Sequence, residues 1–244
     1  MSEPLLSMDG EIVSMSATAL SIEIHRRTVS CREVMQAYLQ QIQRLNPMVN
    51  ALVSLQDPKD LLRQADLRDN QLQRGESMGW MHGFPQAPKD LAATAGIPTT
   101  MGFRGFEKNV PLHDAIVVER ARKSGAIVVG KSNTPEFGLG SHTVNRIFGM
   151  TRNAWDTRLT AGGSSGGAAA ALALHMLPVA DGSDMMGSLR NPAGWHNIYG
   201  MRPSMGRVPA GPTEDVFFQQ LGCEGPMGRT AQDIAMLLSV QAGH

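Results

Sequence analysis

The sequence predicts an α/β fold with a mixed, mostly parallel central sheet flanked by helices. From residue 114 onward, helical stretches alternate with short strands made only of apolar residues. Continuous apolar strands are typical of a sheet covered by helices on both faces. The chain has 244 residues, 42% of them hydrophobic, which is enough to enclose such a core.

Two helices are predicted before the first strand. Ser16 can cap a short helix that continues to residue 26, and Ser30 with Glu33 has the spacing of a capping box for the second helix. Apolar residues follow one face of the second helix. We expect it to stop at Asn46-Pro47, because proline disfavours helical geometry in the residue before it.

The later elements follow from apolar periodicity and from glycine or proline at their ends. We predict a strand over 51–55, a helix over 58–74, a helix over 114–124 that ends at Gly125, a strand over 126–129 and a helix over 232–242. We divide the chain into a helical part, residues 1–75, that packs on a core, residues 76–244. The two parts are expected to form one continuous domain.

Composition limits the classes of partner and compartment. The 22 basic and 22 acidic residues give no net charge, so neither nucleic acid nor a membrane surface is expected as a partner. The longest run of small and apolar residues, 168–174, is far shorter than the ~20 residues of a membrane span. The N-terminus does not resemble a signal peptide. Cys31 and Cys223 are expected to be buried thiols in a reducing compartment, which favours a cytoplasmic location.

One nucleotide-binding motif is rejected. Residues 125–132 satisfy the spacing of a P-loop, with Lys131-Ser132 at its end. In a P-loop the strand precedes the first glycine and a helix begins at the Lys-Ser pair. Here the residues between the glycines are strand-like, and Pro135 follows where a helix would continue.

The most informative stretch, residues 162–190, has two serine sites among glycines: Ser164-Ser165 and Ser188. Glycine beside serine indicates that backbone N–H groups come close to a ligand. Neither site has the G-x-S-x-G context of a nucleophile elbow. His175 follows the first site within a helix, where a packed or solvent-facing role is the better interpretation.

Lys89 is an alternative base, since it follows a turn in small, apolar surroundings. A lysine accepts a proton only when it is neutral, and lowering its pKa from ~10.4 to ~7–8 requires burial or a cationic neighbour. From the residues alone, Lys89 is either such a base or a surface residue.

Several long motifs, in order and at similar spacing, resemble the amidase signature family of Ser-Ser-Lys amidases. They are Pro88-Lys89-Asp90, residues 161–167 and residues 181–190, supported by residues 130–138, 153–155 and 200–209. The resemblance extends from about residue 16 to residue 243. It implies the amidase signature fold, incomplete at the C-terminal side.

By position, the resemblance implies that Ser188 is the nucleophile, which forms an acyl-enzyme and releases an amine. Ser164 would follow a cis peptide bond and pass a proton between Ser188 and Lys89. The oxyanion hole would consist of the backbone N–H groups of Met185, Met186, Gly187 and Ser188. No metal or organic cofactor is implied.

Other motif positions imply supporting roles. Ser165, Asp184 and Arg190 are expected to support the catalytic residues from behind, and Ser183 to be structural. Residues expected to shape an apolar acyl pocket are Met101, Phe103, Phe137, Met186 and Trp195.

The chain departs from the family at two places. Met186 stands where the family usually has glycine. If that position needs positive φ or room beside the substrate, we expect the methionine to add ~1–2 kcal/mol of strain and to narrow the acyl pocket. The sequence also ends where similar amidases continue, so the chain is expected to be a truncated member with an exposed sheet edge that favours a homo-oligomer.

Three functions remain open. The first is an amidase that hydrolyses a small carboxamide. The second is a weak or inactive amidase-fold fragment that acts through association. The third is an amidotransferase A-type subunit, which would need other subunits.

Overall fold

The computed structural model describes residues 8–212 and 221–243 of the chain. The α-helices are α1 (Met8–Ser14), α2 (Ala17–Arg26), α3 (Cys31–Val49), α4 (Pro58–Gln73), α5 (Ile116–Lys123), α6 (Gly166–Ala173), α7 (Arg190–His196) and α8 (Ala231–Gln241). The strands are β1 (Leu52–Val53), β2 (Pro85–Gln86), β3 (Ile127–Val128), β4 (Lys131–Ser132), β5 (Val144–Asn145), β6 (Gly149–Met150), β7 (Val179–Asp184), β8 (Tyr199–Gly200) and β9 (Cys223–Gly228).

The N-terminal helices begin at the predicted caps. The Ser16 hydroxyl accepts a hydrogen bond from Ala19 N, and Ser30 with Glu33 forms the complete capping box. The predicted elements over 51–55, 58–74, 114–124, 126–129 and 232–242 are all present, within a few residues at each end.

The predicted end of α3 at Asn46-Pro47 is wrong, because the helix continues through Pro47 to Val49. Proline removes only its own N–H, and the surrounding contacts compensate. Asn50 adopts a left-handed conformation and donates to Asn46 O at 2.7 Å. The Asn46 side chain accepts from the N–H groups of Ala51 and Leu52, which ties the helix end to β1.

The mixed α/β class is confirmed, but the expected predominance of parallel strands is not found among the described strand pairs. β2 and β3 run parallel. β1 with β4, β5 with β6, and the three-stranded sheet in the order β7-β9-β8 are antiparallel. The inference failed because helices cover this sheet too, α6 against β7 and α8 against β9, so continuous burial did not require parallel pairing.

The close packing of α6 brings the serine-rich turn to the centre of the molecule. Every residue of α6 from Gly166 to Leu172 is buried. At Gly167 a Cβ would overlap the Asn133 N atom and lie 2.6 Å from Ala51 O, so only glycine permits this approach. α6 also packs against β7 and α7, the two elements that flank Ser188.

The structure also bears on three smaller expectations. Both cysteines are free and buried. His175 is half-buried, and its Nδ1 lies 3.0 Å from Val13 O, in agreement with a packed role. None of the helices in the two described ranges is both long and apolar enough to span a membrane.

Candidate active site

Lys89 lies at the centre of the site and is almost completely buried, with 1% of its surface exposed. It follows β2 and is fixed beside β4, where Ser132 N donates to Pro88 O and Asp90 N donates to Ser132 O, both at 3.0 Å. Its own N–H donates to Asp181 Oδ2 at 3.0 Å. The backbone of Lys89 is therefore held on both sides, which directs the side chain towards the serines.

The Lys89 ammonium donates to three hydroxyl groups. Its Nζ lies 2.8 Å from Ser164 Oγ, 2.9 Å from Ser165 Oγ and 2.9 Å from Ser183 Oγ. Burial lowers the pKa of Lys89 to about 8, against the opposing effect of nearby carboxylates, Glu224 first among them. A lysine in this state can both give and accept a proton near neutral pH.

The turn before α6 contains the predicted cis peptide bond, between Gly163 and Ser164. Ser164 is 2% exposed and Ser165 is fully buried. Ser165 N donates to Ser188 O at 3.2 Å, which joins this turn to the turn between β7 and α7. The structure thus brings the two serine sites and Lys89 together.

Ser188 is half-buried between β7 and α7. Its Oγ has no hydrogen-bond partner among residues 8–212 and 221–243, so the expected contact with Ser164 Oγ is not made.

One of the four N–H donors predicted for the oxyanion hole is not available. The Gly187 N–H donates to Asp184 Oδ1 at 2.8 Å, so it is already paired. The N–H groups of Met185, Met186 and Ser188 have no acceptor within the described parts of the chain. These three N–H groups are the available donors.

The predicted strain at Met186 is not found. Met186 is absent from the residues with positive φ, whereas Gly187 has φ +117°. The Met186 side chain is 88% exposed and contributes no wall to a closed pocket. The turn therefore places its positive φ one residue later than the sequence suggested.

Asp184 organises this turn. Its carboxylate accepts from the N–H groups of Gly187 and Leu189 and forms ion pairs with Arg190, at 3.0 Å, and Arg202, at 3.1 Å. Although burial opposes ionisation, the hydrogen bonds from Arg190 and the backbone hold the pKa of Asp184 below its usual range. Asp184 and Arg190 thus lie in the supporting position that was expected.

The predicted acyl-pocket residues other than Met186 fall into two groups, one of Met101, Phe103 and Phe137 and one of Trp195. Phe137 N donates to Met101 O at 2.7 Å, and the Phe137 ring lies 5.1 Å from that of Phe103. Trp195 lies on α7 beside Gly162, with its ring 6.4 Å from that of His142. Phe137 and Trp195 are 42% and 49% exposed.

Sequence reasoning missed several residues of the site. Ser183 was expected to be structural but contacts Lys89 directly, and Asp181 holds the Lys89 backbone. Arg202 donates to the backbone carbonyls of Asp184 and Met185. The only signal for Arg202 was its place within the motif at residues 200–209.

The structure also shows what residues 125–132, which have the spacing of a P-loop, form instead. They form β3 and β4, and the buried Lys131 donates to Ala92 O at 2.5 Å and Thr94 Oγ1 at 2.6 Å. The Lys131 ammonium is therefore bound by one backbone carbonyl and one side-chain hydroxyl of the protein itself.

The fold and this cluster define a class of α/β proteins in which a buried lysine, rather than a histidine, lies against paired serines. The family follows from comparison with known proteins: the Amidase family model matches residues 33–244, and the chain belongs to this family. The resemblance to the amidase signature enzymes is thereby confirmed.

Known relatives match almost the whole length of this chain. The A-type subunit of glutamyl-tRNA(Gln) amidotransferase from Methylococcus capsulatus is 40% identical over 92% of the chain, and an acylamidase of Rhodococcus erythropolis is 37% identical over 94%. Among solved structures, a bacterial aryl acylamidase of the amidase signature family matches 96% of the chain with a TM-score of 0.90 and 33% identity. The chain spans 46%, 48% and 49% of these three proteins, which is about half of each.

Proposed function

We propose that this chain provides the acyl-transfer site of an amidase that hydrolyses a small carboxamide to a carboxylate and an amine or ammonia. The observation that carries the proposal is the buried Lys89 Nζ, 2.8 Å from Ser164 Oγ. A lysine whose pKa lies near neutral pH, and which contacts a serine, can relay protons for a serine nucleophile.

In the first half of the reaction, the Ser188 Oγ attacks the amide carbonyl carbon. Ser164 takes the Ser188 proton and gives its own proton to the neutral Lys89. The negative oxygen of the tetrahedral intermediate accepts hydrogen bonds from the free N–H groups of Met185, Met186 and Ser188. The relay then runs in reverse, the leaving nitrogen receives the proton, and the carbon–nitrogen bond breaks.

In the second half, water attacks the acyl-enzyme and the same relay accepts its proton. The carboxylate product leaves, and Ser188 recovers its proton. Each half returns Lys89 to the neutral form. Ser165 and Ser183 share the hydrogen bonds of Lys89 and hold its Nζ against Ser164.

The acyl group is proposed to lie between the Met101 and Phe137 side and Trp195, which would favour apolar acyl groups. A cytoplasmic location remains a prediction of the sequence.

The test is reaction of the purified chain with a serine-directed fluorophosphonate, followed by intact-protein mass and peptide mapping. A single adduct on Ser188, absent from Ser188→Ala, is the expected result. Ser204→Ala, a loop serine outside the site, is the matched control and should retain the adduct. A folded wild-type chain that forms no adduct would contradict the proposal and favour an inactive fragment that acts through association.

A second candidate is an amidotransferase A-type subunit, favoured by the 40% identity to that subunit. Such a subunit works with other chains. The two candidates differ in whether the purified chain alone turns over a simple amide after Ser188 has been shown to react.

Self-association through an exposed sheet edge is also proposed. Among the described strands, β7 and β8 are the outer strands of the three-stranded sheet. Light scattering of the purified chain would show a dimer or larger species, whereas a monomer at all concentrations would contradict the proposal.

A further inference from the structure

Glu224 was not singled out by the sequence, but it lies beside Lys89. It is on β9 directly opposite Ser183 of β7 in the antiparallel register. Side chains of directly opposed residues project from the same face of a sheet. Because Ser183 Oγ accepts from Lys89 Nζ at 2.9 Å, Glu224 is on the face that meets Lys89.

Within residues 8–212 and 221–243, the Glu224 carboxylate stands out by its lack of contacts. It forms no hydrogen bond or ion pair with the residues that the structure describes. It borders a cavity of about 290 Å³ whose other described lining residues are apolar, glycine or proline, among them Leu91, Met101, Ile116 and Val117. Glu224 keeps partial exposure to solvent, but apolar surroundings disfavour the charged form of its carboxylate and so favour a proton on it.

The other carboxylates that face Lys89 in the described ranges are already committed. Asp181 accepts from Gln86 Nε2 and from Lys89 N. Asp184 is bound by two arginines and two backbone N–H groups. Glu224 is therefore the one of the three that accepts no hydrogen bond from the described residues, although burial raises the pKa of Asp181 as well.

The contacts of Lys89 likewise allow either of its protonation states. All three of its side-chain contacts are to hydroxyl groups, which accept a hydrogen bond from the ammonium and can donate one to the neutral amine. The other buried cation nearby, Lys131 on β4, is bound to Ala92 O and Thr94 Oγ1. No contact thus forces Lys89 to keep its proton.

We propose that Glu224 is a positioning residue that shares one proton with Lys89 and so sets the pH above which Lys89 can accept a proton from Ser164. The proposal rests on the proposed function only for its catalytic consequence. One proton is distributed between Lys89 Nζ and the Glu224 carboxylate by exchange with solvent, because the two groups make no direct hydrogen bond and interact through their charges. While Glu224 is negative it favours the ammonium form of Lys89; when Glu224 is neutral, Lys89 loses its proton more readily.

The electrostatics agree with this geometry. Burial raises the pKa of Glu224 to about 7, with a further increase from Asp181, and burial lowers the pKa of Lys89 to about 8. Two interacting groups with such close values titrate as a pair. The charged groups that act on this pair in the described structure are Asp181 and Asp184 on β7 and Lys131 on β4.

The test measures the pKa of Lys89 directly, by ¹³C NMR of the full chain labelled at the lysine ε-carbon. The resonance is identified by its loss in Lys89→Met. In Glu224→Gln we expect the Lys89 pKa to fall by on the order of one unit, because the variant removes a nearby negative charge. Glu119→Gln, an exposed charge change on α5, is the matched control and should leave the Lys89 titration unchanged.

Reciprocity gives a second measurement that does not depend on the folding of Glu224→Gln. If the two groups share a proton, Lys89→Met raises the pKa of Glu224, observed at its carboxyl carbon, and the wild-type curves of both groups show two steps. Independent single-step curves in the wild type, or an unchanged Lys89 pKa in folded Glu224→Gln, would overturn the proposal.

Reaction of Ser188 with the fluorophosphonate separates this inference from the proposed function. If both hold, the pH dependence of the reaction in Glu224→Gln moves to lower pH together with the Lys89 titration. If Ser188 never reacts but the Lys89 pKa falls in the variant, the shared proton stands and the proposed function fails. If Ser188 reacts and neither quantity moves, the inference fails alone.

Discussion

Two buried lysines, Lys89 and Lys131, show what distinguishes the site from the rest of the core. Lys89 is 1% exposed and Lys131 is 0% exposed, and burial lowers the pKa of each to about 8. Their contacts differ: Lys89 meets three serine hydroxyls, whereas Lys131 meets the Ala92 carbonyl and one threonine hydroxyl.

The comparison teaches that burial alone does not make a lysine a base. A backbone carbonyl only accepts a hydrogen bond, so it stabilises a donor and offers no proton to take. A hydroxyl both donates and accepts, so it can pass a proton to the neutral amine. The Thr94 hydroxyl beside Lys131 already donates its proton to Ala92 O. We therefore assign a stabilising role to Lys131 and a proton-relay role to Lys89.

The largest expected effect comes from exchanging each lysine for methionine. Lys89→Met should slow the reaction of Ser188 with the fluorophosphonate by about 10²–10⁴-fold, since the relay loses its base. Lys131→Met should leave the rate close to that of the wild type. The comparison fails if the two variants slow the reaction equally while both remain folded by circular dichroism.

The next effect concerns stability around Asp184, which holds the turn carrying Ser188. Asp184→Asn removes the charge that pairs with Arg190 and Arg202 and one of the oxygens that accept from Gly187 and Leu189. We expect a loss of about 2–3 kcal/mol in the free energy of unfolding, measured by urea denaturation. The pKa of Asp184 is held below its usual range, so this contribution is present at neutral pH and is lost only as acid protonates the carboxylate. A loss below about 0.5 kcal/mol would show that the turn does not depend on this carboxylate.

Lys131 gives a prediction about pH and stability. Its pKa is lowered from 10.5 to about 8 in the folded chain, so between these values the unfolded chain binds more protons. The free energy of unfolding should therefore rise with pH in this window, by up to ~1.4 kcal/mol per pH unit from one lysine. In Lys131→Met this part of the slope should disappear. An unchanged slope would mean that Lys131 is not titrating there.

The smallest effect is expected at Met186, whose side chain is 88% exposed and whose backbone has no positive φ. Met186→Gly should change the rate of Ser188 modification by less than about twofold and lower the free energy of unfolding by ~0.5–1 kcal/mol, because glycine is more flexible in the unfolded chain. A large increase in rate would restore the idea that this methionine obstructs the oxyanion hole.

Local sequence signals predicted much of the fold. Ser16, Ser30 and Glu33 give helix starts through contacts within three residues of themselves. The end of α3 was missed because it depends on the Asn46 side chain reaching forward to the start of β1. Strand direction was missed because β7 pairs with β9, with partners 39 to 49 positions apart, and the sequence of neither strand identifies its partner.

The residues of the site also divide into those that local sequence motifs predicted and those that only the structure revealed. Lys89, Ser164 and Ser188 lie in glycine-rich or proline-rich motifs, and the resemblance to a family assigned them roles. Ser183 and Glu224 acquire their places only through the β7–β9 register, which puts them opposite each other beside Lys89. That register arises from long-range packing and leaves no mark in the local sequence.

The most direct test of the account is the pH dependence of the rate at which Ser188 reacts with the fluorophosphonate. If neutral Lys89 is the base, the rate should rise with pH and reach half of its maximum near the Lys89 pKa of about 8. This dependence should vanish in Lys89→Met and persist in Lys131→Met. A rate that does not change between pH 6 and 10, or a dependence that follows Lys131, would contradict the assignment of Lys89 as the base.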